Sequence, residues 1–209
     1  MIAGRVPVIA VSALFALMPA CALLTKAAPI EPRYFSPEMV VAKHVEPASP
    51  IALELRLGRV NAGAYLKDRI VRRDSMYEVA YYDERLWTEK PETYVKRALA
   101  QAIFDERGVR QVRSGAALTL EVDVLAFEEV MKPAHVGRVE LSYVLYDDRV
   151  VRLSRSVVVE RPIAAAKGDA AADAIVEALA SAMSLAVDAV AIAATTELHT
   201  EASAQTMAP

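Results

Sequence analysis

From Leu118 to Val124 the chain alternates strictly, with Leu118, Leu120, Val122 and Val124 separated by Thr119, Glu121 and Asp123. Successive side chains of an extended strand point to opposite faces, so this run specifies a strand with one dry face and one that is wet or meets something polar. Continued to Phe127, the same alternation assigns Ala126 to the dry face. Two segments carry the apolar stripe of a helix packed on such a sheet. Pro91 to Arg107 places Val95, Leu99, Ala102 and Ile103 at helical spacing, with Pro91 in the first turn and Gly108 as the stop. Ala170 to Leu198, opened by Asp169 after Gly168, carries Ile175, Leu179, Met183, Val187 and Val190 on one stripe. Glu177 and Asp188 interrupt it, so its uninterrupted apolar run falls short of the roughly 18 to 20 residues a membrane span requires.

The remaining strands follow from the same rule. Ile51, Leu53, Leu55 and Leu57 alternate with Glu54 and Arg56, and Gly58 to Asp68 reads as a loop before a short strand at Arg69 to Arg73. Met76 to Pro91, MYEVAYYDERLWTEKP, is the stretch around which the chain is organised: a strand-like run passes through a charged turn into the first helix. Alternation puts Tyr77, Val79 and Tyr81 on one face of it. Further strands are expected at Val109 to Val112, Val139 to Tyr146 and Val150 to Val159. The pair Asp147-Asp148 makes the last two an antiparallel hairpin. Arg33-Tyr34-Phe35 is a candidate short edge strand. The fold class is therefore α/β in the α+β sense: a single domain with a mixed, mostly antiparallel sheet and two long helices on one face, in the order β-β-β-α-β-β-β-β-α.

Both ends read differently from the middle. Arg5, the apolar run Val8 to Met18 and Pro19-Ala20 have the layout of an export signal over residues 1–20. Cys21, the only cysteine, stands where bacterial lipoprotein signals place the residue that is acylated, although Met18 and Pro19 replace the usual residues before it. Ordinary export or a retained anchor are the alternatives. Residues 21–50 contain Pro29, Pro32, Pro37, Pro47 and Pro50, a density that excludes regular helix and reads as a tether. Such a tether reaches on the order of 90 Å at about 3.1 Å per residue. The folded domain is expected over 51–198 and a disordered tail over 199–209.

Net charge is −3, with 24 Lys and Arg against 27 Asp and Glu, which argues against nucleic acid as a partner. A lone cysteine forms no internal disulfide or cysteine-based metal cluster. His44, His135 and His199 fall in the tether, a hairpin loop and the tail, so no regular spacing unites them as ligands. Glu128-Glu129 and Asp147-Asp148 are adjacent carboxylates, but neighbours on a strand point to opposite faces, and a hairpin carries such charges for solubility. Only 7 glycines are present, and no phosphate-cradling loop, nucleophile elbow or metal-protease pattern occurs. The expectation is a protein with no catalytic residues, cofactor or metal. Tyr82, Arg85 and Trp87 cluster before the first helix. Either Trp87 staples that helix to the sheet, or the three residues form a partner-facing patch of the types that dominate interface hot spots.

The segment LELRLGRVNAGAYLKDRIVRRDSMYEV, with Leu57-Gly58-x-Val60, Tyr65-Leu66, Ile70-Val71 and the Tyr-rich run to Trp87 and Pro91, resembles the auxiliary lipoproteins of ABC-type transport systems. The resemblance runs from about Tyr34 to the end of the second helix. It implies an accessory of mammalian-cell-entry-type (MCE) lipid carriers: an adaptor, lipid-anchored through Cys21, that contacts the MCE-type substrate-binding protein and supports lipid transport between the inner and outer membranes. Ala22 after the cysteine favours the outer membrane, facing the periplasm, with the inner membrane as the alternative. Two other readings remain. One is a periplasmic carrier that takes phospholipid between the sheet and the second helix; the other is a lipoprotein that regulates a cell-wall enzyme.

Overall fold

The computed structural model describes residues 31–38, 53–148 and 150–207. The expected export signal, Cys21, His44 and most of the expected tether lie outside them. In chain order the elements are β1 (Arg33–Phe35), β2 (Glu54–Ala62), β3 (Arg69–Arg73), β4 (Val79–Trp87), α1 (Pro91–Ala100), β5 (Arg110–Gln111), β6 (Leu118–Val130), β7 (Val136–Tyr146), β8 (Val151–Pro162) and α2 (Asp169–Met207). This is the expected order with the short edge strand β1 added at its front.

Strand β6 is the axis of the sheet because both of its edges are paired. One edge takes β7 antiparallel along nearly its full length, and β8 extends the sheet beyond β7. The other edge is divided: β2 runs parallel to the first half of β6, and β3 runs parallel to its last residues. Beyond β3 lie β4 and then β1, and beyond β2 lies β5. The sheet is mixed and open, and its longest ladders are antiparallel.

Alternation holds in β6 up to Val124, whose partner is Leu141. At Leu125 one extra residue enters, and the next pair is Ala126 with Glu140. Such a bulge reverses which sequence positions face which side. Ala126 therefore leaves the helix-covered face expected for it, and Phe127 takes that place opposite Val139. Leu120, Val122, Val124, Phe127, Val139, Leu141 and Leu145 form the buried layer under the helices. The other face is polar, with Arg56 bonded to Thr119, Arg59 to Glu121 and Asn61 to Asp123 across adjacent strands. It is the wet face that the alternation implies.

Strands β6, β7 and β8 run about three residues beyond the expected bounds and α1 gives way at Ala100, short of Arg107; three further differences have a clear physical cause. Strand β2 continues to Ala62 through a register shift between Leu57 and Val60, where a loop from Gly58 was expected. The central strand begins at Val79 and runs to Trp87. Met76 and Tyr77 lie in the turn before it, 78% and 91% exposed. The charged residues expected to form a turn are strand residues because β1 lies alongside, pairing Arg33, Tyr34 and Phe35 with Arg85, Leu86 and Trp87. Asp83, also exposed, meets Arg69 across the strand pair. The third difference is at the C-terminus, where α2 does not stop at Leu198 but continues to Met207. Thr196, Thr200 and Ser203 return their hydroxyls to carbonyls four residues earlier, and Arg152 of β8 holds Glu201 at 2.8 Å. The polar tail thus satisfies itself as helix and is tied to the sheet.

Helix α1 ends in a wider turn over Gln101–Asp105, with the Glu106 amide bonded to the Gln101 carbonyl. Gly108, at φ 68°, then reverses the chain in the left-handed region where a glycine carries no Cβ penalty. Helix α2 is long and apolar enough by composition to cross a membrane, but half of its most apolar window is buried. Ala178, Leu179, Ala182, Ala186 and Val190 face the sheet, and a Cβ on Gly137 of β7 would stand 3.0 Å from the Leu179 amide nitrogen. Small residues on both sides let helix and strand approach closely.

Trp87 joins these parts. Its ring meets Phe127 at 5.4 Å and Tyr94 of α1 at 6.3 Å, both edge to face, and it is 2% exposed. The Tyr94 hydroxyl in turn accepts the Glu89 amide at 2.7 Å, which fixes the corner between β4 and α1. Trp87→Ala is expected to lower unfolding free energy by roughly 3–5 kcal/mol, as buried aromatic truncations do. Urea unfolding of the variant measures this, and a loss below about 1 kcal/mol would contradict the stapling role.

Candidate functional site

Beyond the bulge, Glu128 and Glu129 are consecutive residues of one strand and face opposite sides of the sheet. They are 1% and 2% exposed. A carboxylate buried to that degree must find donors for its oxygens or lose several kcal/mol of solvation. Each finds them in a separate network.

On the helix-free face, Arg73 grips Glu128 with two bonds, of 2.7 and 2.9 Å. The Tyr65 hydroxyl lies 3.5 Å from the same carboxylate and donates to the Leu125 carbonyl at 2.7 Å. Burial first, and then the Glu128 charge, push the Tyr65 phenol up to about 12. The bond to Glu128 is also the main cause of a raised Arg73 pKa. This network closes over the bulge from the side opposite the helices.

On the helix-covered face, Glu129 accepts the Tyr82 hydroxyl at 2.6 Å and holds His135 Nε2 at 2.6 Å. Burial, followed by the bond to Glu129, raises the Tyr82 phenol, so it remains a donor at neutral pH. The Arg85 guanidinium carbon stands 4.0 Å from the Tyr82 ring centroid, and that of Arg72 stands 5.4 Å from it. Arg72 is also bound to Asp74 at 2.8 Å, and that bond is the first cause of its raised pKa. Arg85 has no carboxylate partner among the described residues.

Tyr82, Arg85, Glu129 and His135 form one wall of an open cleft of about 640 Å³. The other wall is the segment from Ile163 to Lys167 with Ala171 and Ile175 of α2. The cleft thus lies where β4, the β6–β7 turn and the start of α2 converge. Of the three residues singled out before α1, Tyr82 and Arg85 come together here. Trp87, the next inward-facing residue of β4 after Arg85, is in the core and takes no part in a surface patch. Glu129 and His135 were not anticipated as partners. The usable signal is their position on either side of a tight turn, but their meeting depends on the register set at Leu125. Among the described residues no three His, Cys, Asp or Glu side chains converge as a metal site. Glu128 and Glu129 are separated by the sheet and do not form an acid/base pair.

The fold is a small mixed α+β domain with an open cleft at one end of its sheet. A family model described as the ABC-type transport auxiliary lipoprotein component matches residues 37–191, and the chain belongs to that family. Membership implies association with the cell envelope. The same architecture occurs in a Xanthomonas campestris protein of the family model DUF330, with TM-score 0.63 and 17% identity over 75% of this chain and 97% of that one. It also occurs in a protein described only as uncharacterised, with TM-score 0.59 and 15% identity over 77% of this chain and 97% of that one. At these identities the likeness is one of fold. None of the curated proteins compared with this sequence matches it.

The Tyr65 network makes a pH prediction. A phenol raised from its usual value near 10 to about 12 binds its proton more tightly in the native state than in the unfolded one. Its stabilising contribution is therefore present below about pH 10 and lost as pH rises through about 12. In Tyr65→Phe the decline of unfolding free energy across that window becomes shallower than in the unmodified protein. Urea titrations at stepped alkaline pH measure it, and identical slopes in the two proteins would refute the assignment.

Proposed function

We propose that this protein is a non-catalytic adaptor of an MCE-type ABC transport system. In this reading it is anchored in the outer membrane by lipid on Cys21, faces the periplasm, and contacts the MCE-type substrate-binding component to support lipid passage between the two membranes. The observation that carries the reading is membership of the auxiliary lipoprotein family across residues 37–191. The packing of α2 supports an adaptor over a carrier. A carrier needs an apolar cavity between sheet and helix, whereas here Leu179, Ala182, Ala186 and Val190 are buried against that sheet face and the Gly137 backbone approaches α2 closely. The cleft then serves as the docking surface, with Tyr82 and Arg85 as its contact residues.

Affinity capture of the membrane-anchored protein in mild detergent, with intact-mass analysis of its N-terminus, tests the proposal. The expected result is recovery of an MCE-type protein together with an acylated Cys21, and release of the protein from membranes on Cys21→Ser. An unmodified N-terminus with no transporter component would refute it, and co-purified phospholipid in place of a protein partner would favour the carrier.

A further inference from the structure

We infer that the cleft holds an extended, carboxylate-bearing segment of the partner polypeptide, an inference that rests on the adaptor reading for the partner's identity. Charge is the first argument. The one carboxylate among the described residues lining the cleft, Glu129, has Oε2 engaged by Tyr82 and Oε1 engaged by His135. Arg85 and Lys167 line the same space, and neither has a carboxylate partner among the described residues. Nearby guanidinium groups are already committed, Arg72 to Asp74 and Arg73 to Glu128. The open charge of the cleft is therefore positive, and its complement is an anion.

Arg85 is also held in position for one. It stacks on Tyr82, and the Tyr82 ring is fixed in turn by its bond to buried Glu129. A guanidinium held by its flat face keeps its edge donors free, in the fork geometry that matches a carboxylate.

The opposite wall selects a peptide over a lipid. The β7–β8 ladder ends at the pair of Val136 with Pro162, followed by one bond from the Ile163 amide to the His135 carbonyl. Ala164, Ala165, Ala166 and Lys167 then run outside any regular element, exposed and without backbone hydrogen bonds among the described residues. Three methyl side chains in a row leave that backbone open to close approach. An incoming extended segment would satisfy these amides and carbonyls by strand addition. An acyl chain would cover them without partners and leave each covered group unsatisfied.

Photocrosslinking in the full-length anchored protein tests the inference. Ala165→p-benzoylphenylalanine places the probe on the exposed wall, and Ser156→p-benzoylphenylalanine places a control on the helix-free face of β8. The expected product at position 165 is an adduct with a transporter component, mapped by mass spectrometry to a segment with Asp, Glu or a free C-terminus beside the crosslink. Combining Arg85→Glu with Lys167→Glu lowers its yield about tenfold or more, with unchanged melting temperature. If the component is captured but crosslinks only at position 156, or if the adduct at 165 is a phospholipid, the cleft assignment is overturned while the adaptor reading survives. Capture of no transporter component overturns both.

Discussion

At Leu125, β6 carries one residue more than β7 opposite it, and pairing steps from Val124 with Leu141 to Ala126 with Glu140. Much of the molecule depends on that step. Before it, the even-numbered residues of β6 face the helices; after it, the odd-numbered ones do. Phe127 thereby enters the core against Trp87, and the last residues of β6 exchange β2 for β3 as their neighbour. A bulge bends and twists its strand. Here it sits where the sheet changes partners, and the exposed carbonyl it leaves at Leu125 is taken by the Tyr65 hydroxyl.

The same step explains why a strand can bury two consecutive carboxylates. Glu128 is neutralised by the Arg73 fork on one face, while Glu129 is held by Tyr82 and His135 on the other. Removing either set of partners would strand a buried charge, so each network fixes the side chains that touch it. On the helix side those side chains are the wall of the cleft. Two contacts meet at Tyr82: its hydroxyl serves the buried glutamate and its ring carries Arg85. The outward part of this arrangement, a cation beside an unpaired stretch of backbone, is suited to binding a polypeptide.

What the sequence discloses is what local periodicity encodes. The strict alternation of Leu118 to Val124, the stripe of α2, the hairpin at Asp147 and even the three-residue edge strand at Arg33 follow from patterns within a few residues. The bulge does not, because period-two reading has no means of registering an unpaired residue; hence Ala126 was placed on the wrong face. The charged half of β4 looked like a turn because its strand pairing comes from β1, some 50 residues earlier in the chain. The end of α2 lacked apolar rhythm, and its hydroxyl bonds four residues back are invisible to hydropathy. Tyr82 and Arg85 were legible as a pair of recognition types, whereas Glu129 and His135 required the register at Leu125. The lipidation reading at Cys21 concerns residues outside those the structure describes.

Exchanging two neighbouring residues tests the face reversal at Leu125 most directly. The double variant Ala126→Phe, Phe127→Ala moves the phenyl group to an even-numbered position, in phase with Leu118 to Val124, with unchanged composition. If the bulge is present, the exchange empties the aromatic site beside Trp87 and forces a phenyl group toward the Glu128–Arg73 pair. Urea unfolding should then show a loss of roughly 3–5 kcal/mol or more, in the range of buried Phe→Ala truncations. Stability equal to or above that of the unmodified protein would mean that the alternation runs through Leu125 without a bulge, and would contradict the account.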